Sequence, residues 1–236
     1  MRNRLNDICR LIILTPLNLF FLQVFGKKCF ACRQQRELWE QRAAADFAGK
    51  ASMHTDTYYT TFDEVILHKL ATLRSDTYLE VGCYIGTRLH ALAAKVSQHT
   101  CIGMDLGFKN LALAKKTTAF DRCVHLCNAN AVSLPFKTGS IETVYTIVCL
   151  THLEPTMIKK ALTELIRVSS KNLILVEIDA APMKLRKKIE LINWRNGYTH
   201  PYEKLLSGKI SLVSRDRLYD SDKHPRYTIF HFVKNA

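Results

Sequence analysis

Leu79-Glu80-Val81-Gly82-Cys83-Tyr84-Ile85-Gly86-Thr87 is the stretch that decides how this chain is read. Apolar strand formers run into Gly82, and Thr87–Val96 beyond Gly86 has the apolar period of a helix. Glycine at both ends of the turn lets the backbone reverse sharply and lets a ligand approach it closely, while the first amides of the helix point at the same spot. The same Gly-x-x-x-Gly spacing also serves plain strand-to-helix turns, so the flanking residues have to carry the argument.

Downstream, strands and helices alternate. Strands are expected at Tyr78–Val81, Cys101–Met104, Val124–Cys127, Thr143–Val148 and Leu173–Ile178, and helices at Thr87–Val96, Lys109–Thr117 and Thr156–Val168. This pattern predicts an α/β fold: a doubly wound, mostly parallel sheet with helices on both faces. Lys209–Val213 and Tyr227–Val233 read as two closing strands, seven in all, around a polar turn region at Tyr219–Pro225. Upstream, residues 34–48 and Phe62–Leu73 keep a helical period and read as N-terminal cap helices. With 236 residues and 47% hydrophobic composition, one core is favoured: an apolar and basic segment over 1–32, then a single domain over 33–236.

Ligands of such sheets lie at the carboxyl ends of the strands. The second strand ends at Asp105, 19 positions beyond Gly86, an interval at which a carboxylate accepts from ribose hydroxyls; the alternative is a helix cap. The third is followed by Asn128-Ala129-Asn130-Ala131-Val132-Ser133-Leu134-Pro135-Phe136, and the fourth ends in Cys149-Leu150-Thr151-His152-Leu153.

Taken together, these motifs resemble the class I S-adenosylmethionine-dependent methyltransferases, in their small-molecule branch, over roughly Trp39 to Asp179. The resemblance implies a Rossmann-like methyltransferase fold with S-adenosyl-L-methionine as cofactor and S-adenosyl-L-homocysteine as product. By that likeness Glu80, Gly82, Cys83, Tyr84 and Gly86 would line the methionine part, Asp105 would hold the ribose, Asn130 and Ala131 would contact adenine, and Val148 to His152 would border cofactor and acceptor. Tyr84 stands where the family has its middle glycine, Asn130 where it has Asp, and Glu142 where it has Asp. An amide oxygen at Asn130 still accepts from the adenine amino group. Chemistry in this family is an in-line displacement on an already activated methyl, so alignment and exclusion of water matter more than a fixed triad. His152 stands at a strand end suited to a general base, with a structural helix-start role as the alternative; Tyr198 and His200 are the other candidates.

Charge bears on the acceptor. The net charge is +13, but residues 1–50 hold nine basic and four acidic side chains, 51–183 thirteen and twelve, and 184–236 twelve and five. The body is nearly neutral, and the basic ends suit phosphate, anionic lipid or solubility. Neither an Asn/Asp-Pro-Pro-Tyr stretch nor a Pro-Cys pair is present, which lowers the odds of a nucleic-acid substrate. The expected acceptor is a small molecule or lipid; RNA methylation and a catalytically inactive cofactor-binding scaffold are the alternatives.

Eight cysteines are too dispersed for a disulfide framework and fit a reducing cytoplasm. Cys29-Phe-Ala-Cys32 has metal-ligand spacing but lacks a second pair, so no metal is expected. Residues 11–25, LIILTPLNLFFLQVF, lie between Arg2, Arg4, Arg10 and Lys27, Lys28. At 15 residues broken by Pro16 they are too short to span a bilayer, and no signal cleavage site follows. Two readings stay open: a helix docked on the domain, or an interfacial anchor that places a cytoplasmic protein at the membrane surface.

Overall fold

The structure is a computed structural model that describes residues 40–41, 57–117, 123–179, 197–219 and 225–235. Its elements are α1 (Thr57–Thr72), β1 (Thr77–Val81), α2 (Thr87–Lys95), β2 (Thr100–Asp105), α3 (Phe108–Thr117), β3 (Val124–Asn128), β4 (Ile141–Ile147), α4 (Ile158–Val168), β5 (Ser169–Glu177), α5 (Tyr202–Leu206), β6 (Ser211–Tyr219) and β7 (Pro225–Val233). A single sheet runs in the order β3-β2-β1-β4-β5-β7-β6. The pairs from β3 to β5 are parallel, and β7 is antiparallel to both β5 and β6. Strand order reverses between β1 and β4, the kind of switch point at whose carboxyl ends ligands of such sheets bind.

All seven expected strands are present. The differences lie in β5, which starts at Ser169 where Leu173 was expected, and in β6, which covers Ser211–Tyr219 where the apolar run suggested Lys209–Val213. Most of its residues are exposed, because an edge strand has a partner on one side only; its second half, Ser-Arg-Asp-Arg, carries no apolar alternation to read. Of the helix expected over 34–48 only Glu40 and Gln41 are described, and both are helical. The apolar segment 11–25, the boundary at 32/33, Cys29 and Cys32 lie outside the described residues. Among those described, no helix is long and apolar enough to cross a membrane.

Two apolar layers sandwich the sheet. On one face Leu79, Val81, Val144, Leu175 and Phe230 pack against Leu162 and Leu165 of α4 and Tyr202 and Leu206 of α5. On the other, Tyr78, Tyr145, Ile174 and Ile229 meet Phe62, Ile66 and Leu70 of α1 and Leu89 and Leu92 of α2. The buried residues of α4, Ile158, Ala161, Leu162, Leu165 and Val168, recur at three- and four-residue steps. Each fully buried Leu or Ile contributes about 1.5–3 kcal/mol.

One charge-bearing group sits inside the second layer. Strand alternation turns Glu80 to the face of Tyr78 and Tyr145, where it is buried and accepts a hydrogen bond from the Tyr145 hydroxyl at 3.3 Å. Burial pushes its carboxyl from an ordinary 4.5 up to about 7, opposed by the Arg88 guanidinium. The turn after β1 is left-handed at Gly82 (φ 85°), Tyr84 (φ 54°) and Gly86 (φ 75°). A side chain at Gly82 would collide with the Cys149 sulfur and lie 2.7 Å from its Cβ, whereas at Gly86 only Ala114 comes near, at 3.5 Å. Thus Gly82 makes room first of all for the neighbouring strand end, and Gly86 is required by its backbone angle.

Three substitutions test this arrangement. Between about 4.5 and 7 the folded chain keeps a proton on Glu80 that the unfolded chain releases, so this contribution to stability is full below the lower value and lost as pH rises through the upper one. Glu80→Gln should therefore gain stability relative to the parent as pH is raised from about 5 to about 8 in thermal melts; a constant difference would contradict the assignment. Gly86→Ala should cost about 1–2 kcal/mol for its left-handed backbone alone. Gly82→Ala should cost more in urea titrations, with the excess relieved when Cys149→Gly is combined with it.

Candidate functional site

Four strand ends converge at the carboxyl edge, and Asp105 ties three of them together. Its Oδ2 accepts from the Tyr84 amide at 2.9 Å, and its Oδ1 from the Gly107 amide at 2.8 Å and the Asn110 side-chain amide at 3.0 Å. Its main-chain oxygen accepts from Asn128 Nδ2 at 2.9 Å and from the Ala129 amide at 3.2 Å. The β1 turn is fastened from below as well, since the amides of Gly82 and Cys83 both donate to the Met104 carbonyl, at 2.7 and 3.0 Å. Burial raises the Asp105 carboxyl above its usual range, and the bonds from Gly107, Tyr84 and Asn110 oppose that rise. Asp105 thus serves as the cap of the next turn and as the fastening of the glycine loop. A carboxylate accepts about four hydrogen bonds, so one position is left for a hydroxyl.

Beside it, Asn130 Oδ1 accepts from the Val132 amide at 3.1 Å, which fixes the loop after β3 and leaves its side-chain amide as a donor. Ala131 is buried and Asn130 half-buried. Helix α2 begins after Gly86 with no side-chain cap and no acidic residue in its first turn, so no side chain caps its leading amides at this edge of the sheet. Phe108, 67% exposed, presents its ring at the rim, and Lys109 next to it pairs with Glu40 at 3.5 Å.

The segment after β4 forms the opposite wall. Val148 is left-handed (φ 52°), and a short 3-10 turn, Leu150–His152, follows. Glu177, at the end of β5 and fully buried, accepts from Thr146 Oγ1 at 2.8 Å and from the amides of Cys149, Leu150 and Thr151 at 3.1, 3.0 and 3.1 Å. Thr151 also exchanges two bonds with Tyr198: the Tyr198 amide donates to Thr151 O at 2.6 Å, and Thr151 Oγ1 donates to Tyr198 O at 2.7 Å. His200 is buried with Nε2 donating to the Leu153 carbonyl at 3.0 Å, and burial lowers its pKa to about 4.

Hence the candidates fall into two groups. Gly82, Cys83, Tyr84, Gly86, Asp105, Asn130, Ala131 and Val148 gather at the carboxyl edge, while the Glu80 side chain points into the layer beneath. Of the acid–base candidates, Tyr198 and His200 are buried straps holding the post-β4 turn, and half-buried His152 ends that turn. The Cys83 and Cys149 thiols are held well above their usual range by burial, so neither is a ready thiolate. Among the described residues no group of three or more His, Cys, Asp or Glu is placed to hold a metal ion. The sequence pattern gave no sign of Asn110 and above all of Glu177, a lone acid closing the apolar run Leu173-Ile174-Leu175-Val176.

Residues 79–172 match the family model described as a methyltransferase domain. An uncharacterized protein of Haemophilus influenzae is 35% identical over 104 residues, 43% of this chain; the chain spans only 41% of that relative's length. Magnesium protoporphyrin IX methyltransferase from Synechocystis PCC 6803, solved with bound SAH, superposes with a TM-score of 0.67 at 15% identity, over 85% of this chain and 98% of that one. The N-methyltransferase NodS from Bradyrhizobium japonicum, in complex with S-adenosyl-L-homocysteine, gives the same TM-score at 14% identity, with coverage of 85% and 98%. The match over residues 79–172, together with these superpositions, gives the described unit the fold of the S-adenosylmethionine-dependent methyltransferases.

Proposed function

We propose that this chain transfers a methyl group from S-adenosyl-L-methionine to a small-molecule or lipid-like acceptor. The observation that carries the reading is Asp105: one carboxylate, fastened to the Tyr84 amide of the glycine loop, keeps one acceptor position at the crevice. The donor set fits the cofactor. Asp105 would take a ribose hydroxyl, Asn130 and Ala131 the adenine edge, and the leading amides of α2 the methionine carboxylate. When bound, the cofactor supplies a methyl on a positively charged sulfur, ready for displacement. The chain's own part is to hold that group against the wall formed by Val148–His152 and to keep water out. His152, half-buried at the end of that wall, would draw a proton from an acceptor hydroxyl or amine.

Small-molecule acceptors are favoured because SAH- and SAM-bound neighbours include a porphyrin methyltransferase and NodS. The basic-flanked segment 11–25 supports a lipid-like acceptor met at a membrane surface by a cytoplasmic protein.

Calorimetry with S-adenosyl-L-methionine and its demethylated product, together with labelled methyl transfer to metabolite and lipid extracts and to total RNA, tests the reading. Binding with transfer to extract is expected; transfer to RNA alone would move the acceptor class, and tight binding without transfer would point to a scaffold. Asp105→Ala should weaken cofactor binding by about 1–3 kcal/mol, and unchanged affinity would confine Asp105 to its capping role. The full chain should sediment with anionic vesicles, and a chain lacking residues 1–28 should not, the attachment weakening as salt screens the flanking cations. Equal sedimentation of both would refute the anchor.

A further inference from the structure

The turn after β4 is built against the preference of its own sequence. Val148 is β-branched yet left-handed at φ 52°, and Cys149 next to it is right-handed at φ −97°. A β-branched residue in that region is a strained outlier, and such strain persists only where the surroundings over-determine it. Consecutive residues of opposite hand also turn their amides to one side, forming the concave nest that elsewhere takes an anion. Here the anion comes from the chain itself. Glu177 offers one oxygen to the amides of Cys149 and Leu150 and the other to that of Thr151, while Thr146 donates its hydroxyl from the strand. The same turn packs Cys149 against Gly82, so its position sets the width of the crevice at the glycine loop.

We propose that Glu177 is a positioning residue of the methyltransferase site: its carboxylate holds the strained Val148–Thr151 turn where that turn closes the cofactor crevice against Gly82. The inference rests on the methyltransferase reading for its ligand, but the hold itself is independent of it. A glycine in place of Val148 would adopt the same angle unaided, so the need for Glu177 follows from the valine. In Gln the amide nitrogen would face the Thr151 amide, donor to donor, and the hold would fail on one side.

The experiment measures S-adenosyl-L-homocysteine affinity by calorimetry and amide exchange at residues 149–151 in the full chain, for the parent, Glu177→Gln, Val148→Gly and the double variant. Glu142→Gln, at the opposite end of β4 and paired with Lys171, is the control. Glu177→Gln should weaken affinity by about tenfold or more and speed exchange at those amides. The double variant should bind nearly as well as Val148→Gly alone, because glycine lets the turn hold its shape without the carboxylate. The control should match the parent. If Glu177→Gln melts earlier yet binds as tightly as the parent, or if it costs as much affinity on the Val148→Gly background as on the parent, the positioning role is overturned. Should Glu177→Gln fail to fold, the double variant decides: folding with the affinity of Val148→Gly alone supports the role, and a folded chain that binds well below that single variant overturns it. A parent chain that binds neither the product nor S-adenosyl-L-methionine would instead remove the methyltransferase reading, while exchange at 149–151 would still report whether Glu177 holds the turn.

Discussion

Everything at the carboxyl edge of the sheet depends on carboxylates that accept from main-chain amides. Asp105 receives the amides of Tyr84 and Gly107, and Glu177 those of Cys149, Leu150 and Thr151. Loops at strand ends leave such amides without ladder partners, and an unpaired buried donor costs about as much as a lost hydrogen bond. A short acid at the end of the neighbouring strand satisfies several of them at once. It also fixes one loop relative to the next, which a ladder hydrogen bond within a strand pair does not do.

The two carboxylates divide the crevice between them. Asp105 governs the wall made by the β1 and β2 ends, Glu177 the wall made by the β4 end, and the walls touch where Cys149 lies under Gly82. The steric fit between these two residues therefore couples the halves of the site. Tyr198 and His200 extend the second wall by bonding to Thr151 and Leu153, so the segment after β5 is anchored to the turn that would face the acceptor.

What could be read in the sequence follows from the range of each interaction. The strand ends, the glycine turn and Asp105 are local in sequence or fall at a fixed interval, and the alternation of elements foretold the seven-stranded sheet. The Glu177 contacts reach back 26 to 28 residues, and the Thr151–Tyr198 pair spans 47. Nothing in a linear pattern announces such meetings, and a lone Glu after Leu173-Ile174-Leu175-Val176 reads as the plain end of a strand. For Gly82 the sequence disclosed the need for a small residue but not its neighbour, because Cys149 arrives from another strand. Tyr198 and His200 were picked out for their chemistry, and the structure places them as buried props. The second half of β6 escaped notice because an exposed edge has no apolar rhythm.

That edge has a meaning of its own. The outermost strand of a sheet offers a row of unused amides and carbonyls to any passing extended chain. Along β6 the charges of Arg215-Asp216-Arg217 alternate across the strand, 30%, 52% and 39% exposed, with Arg215 and Arg217 beside Asp179 and Asp216 paired with Lys69. A stranger's strand trying to prolong the sheet would have to strip water from a guanidinium, a carboxylate and a second guanidinium in succession. Charge on the last strand thus works against its being prolonged by another strand.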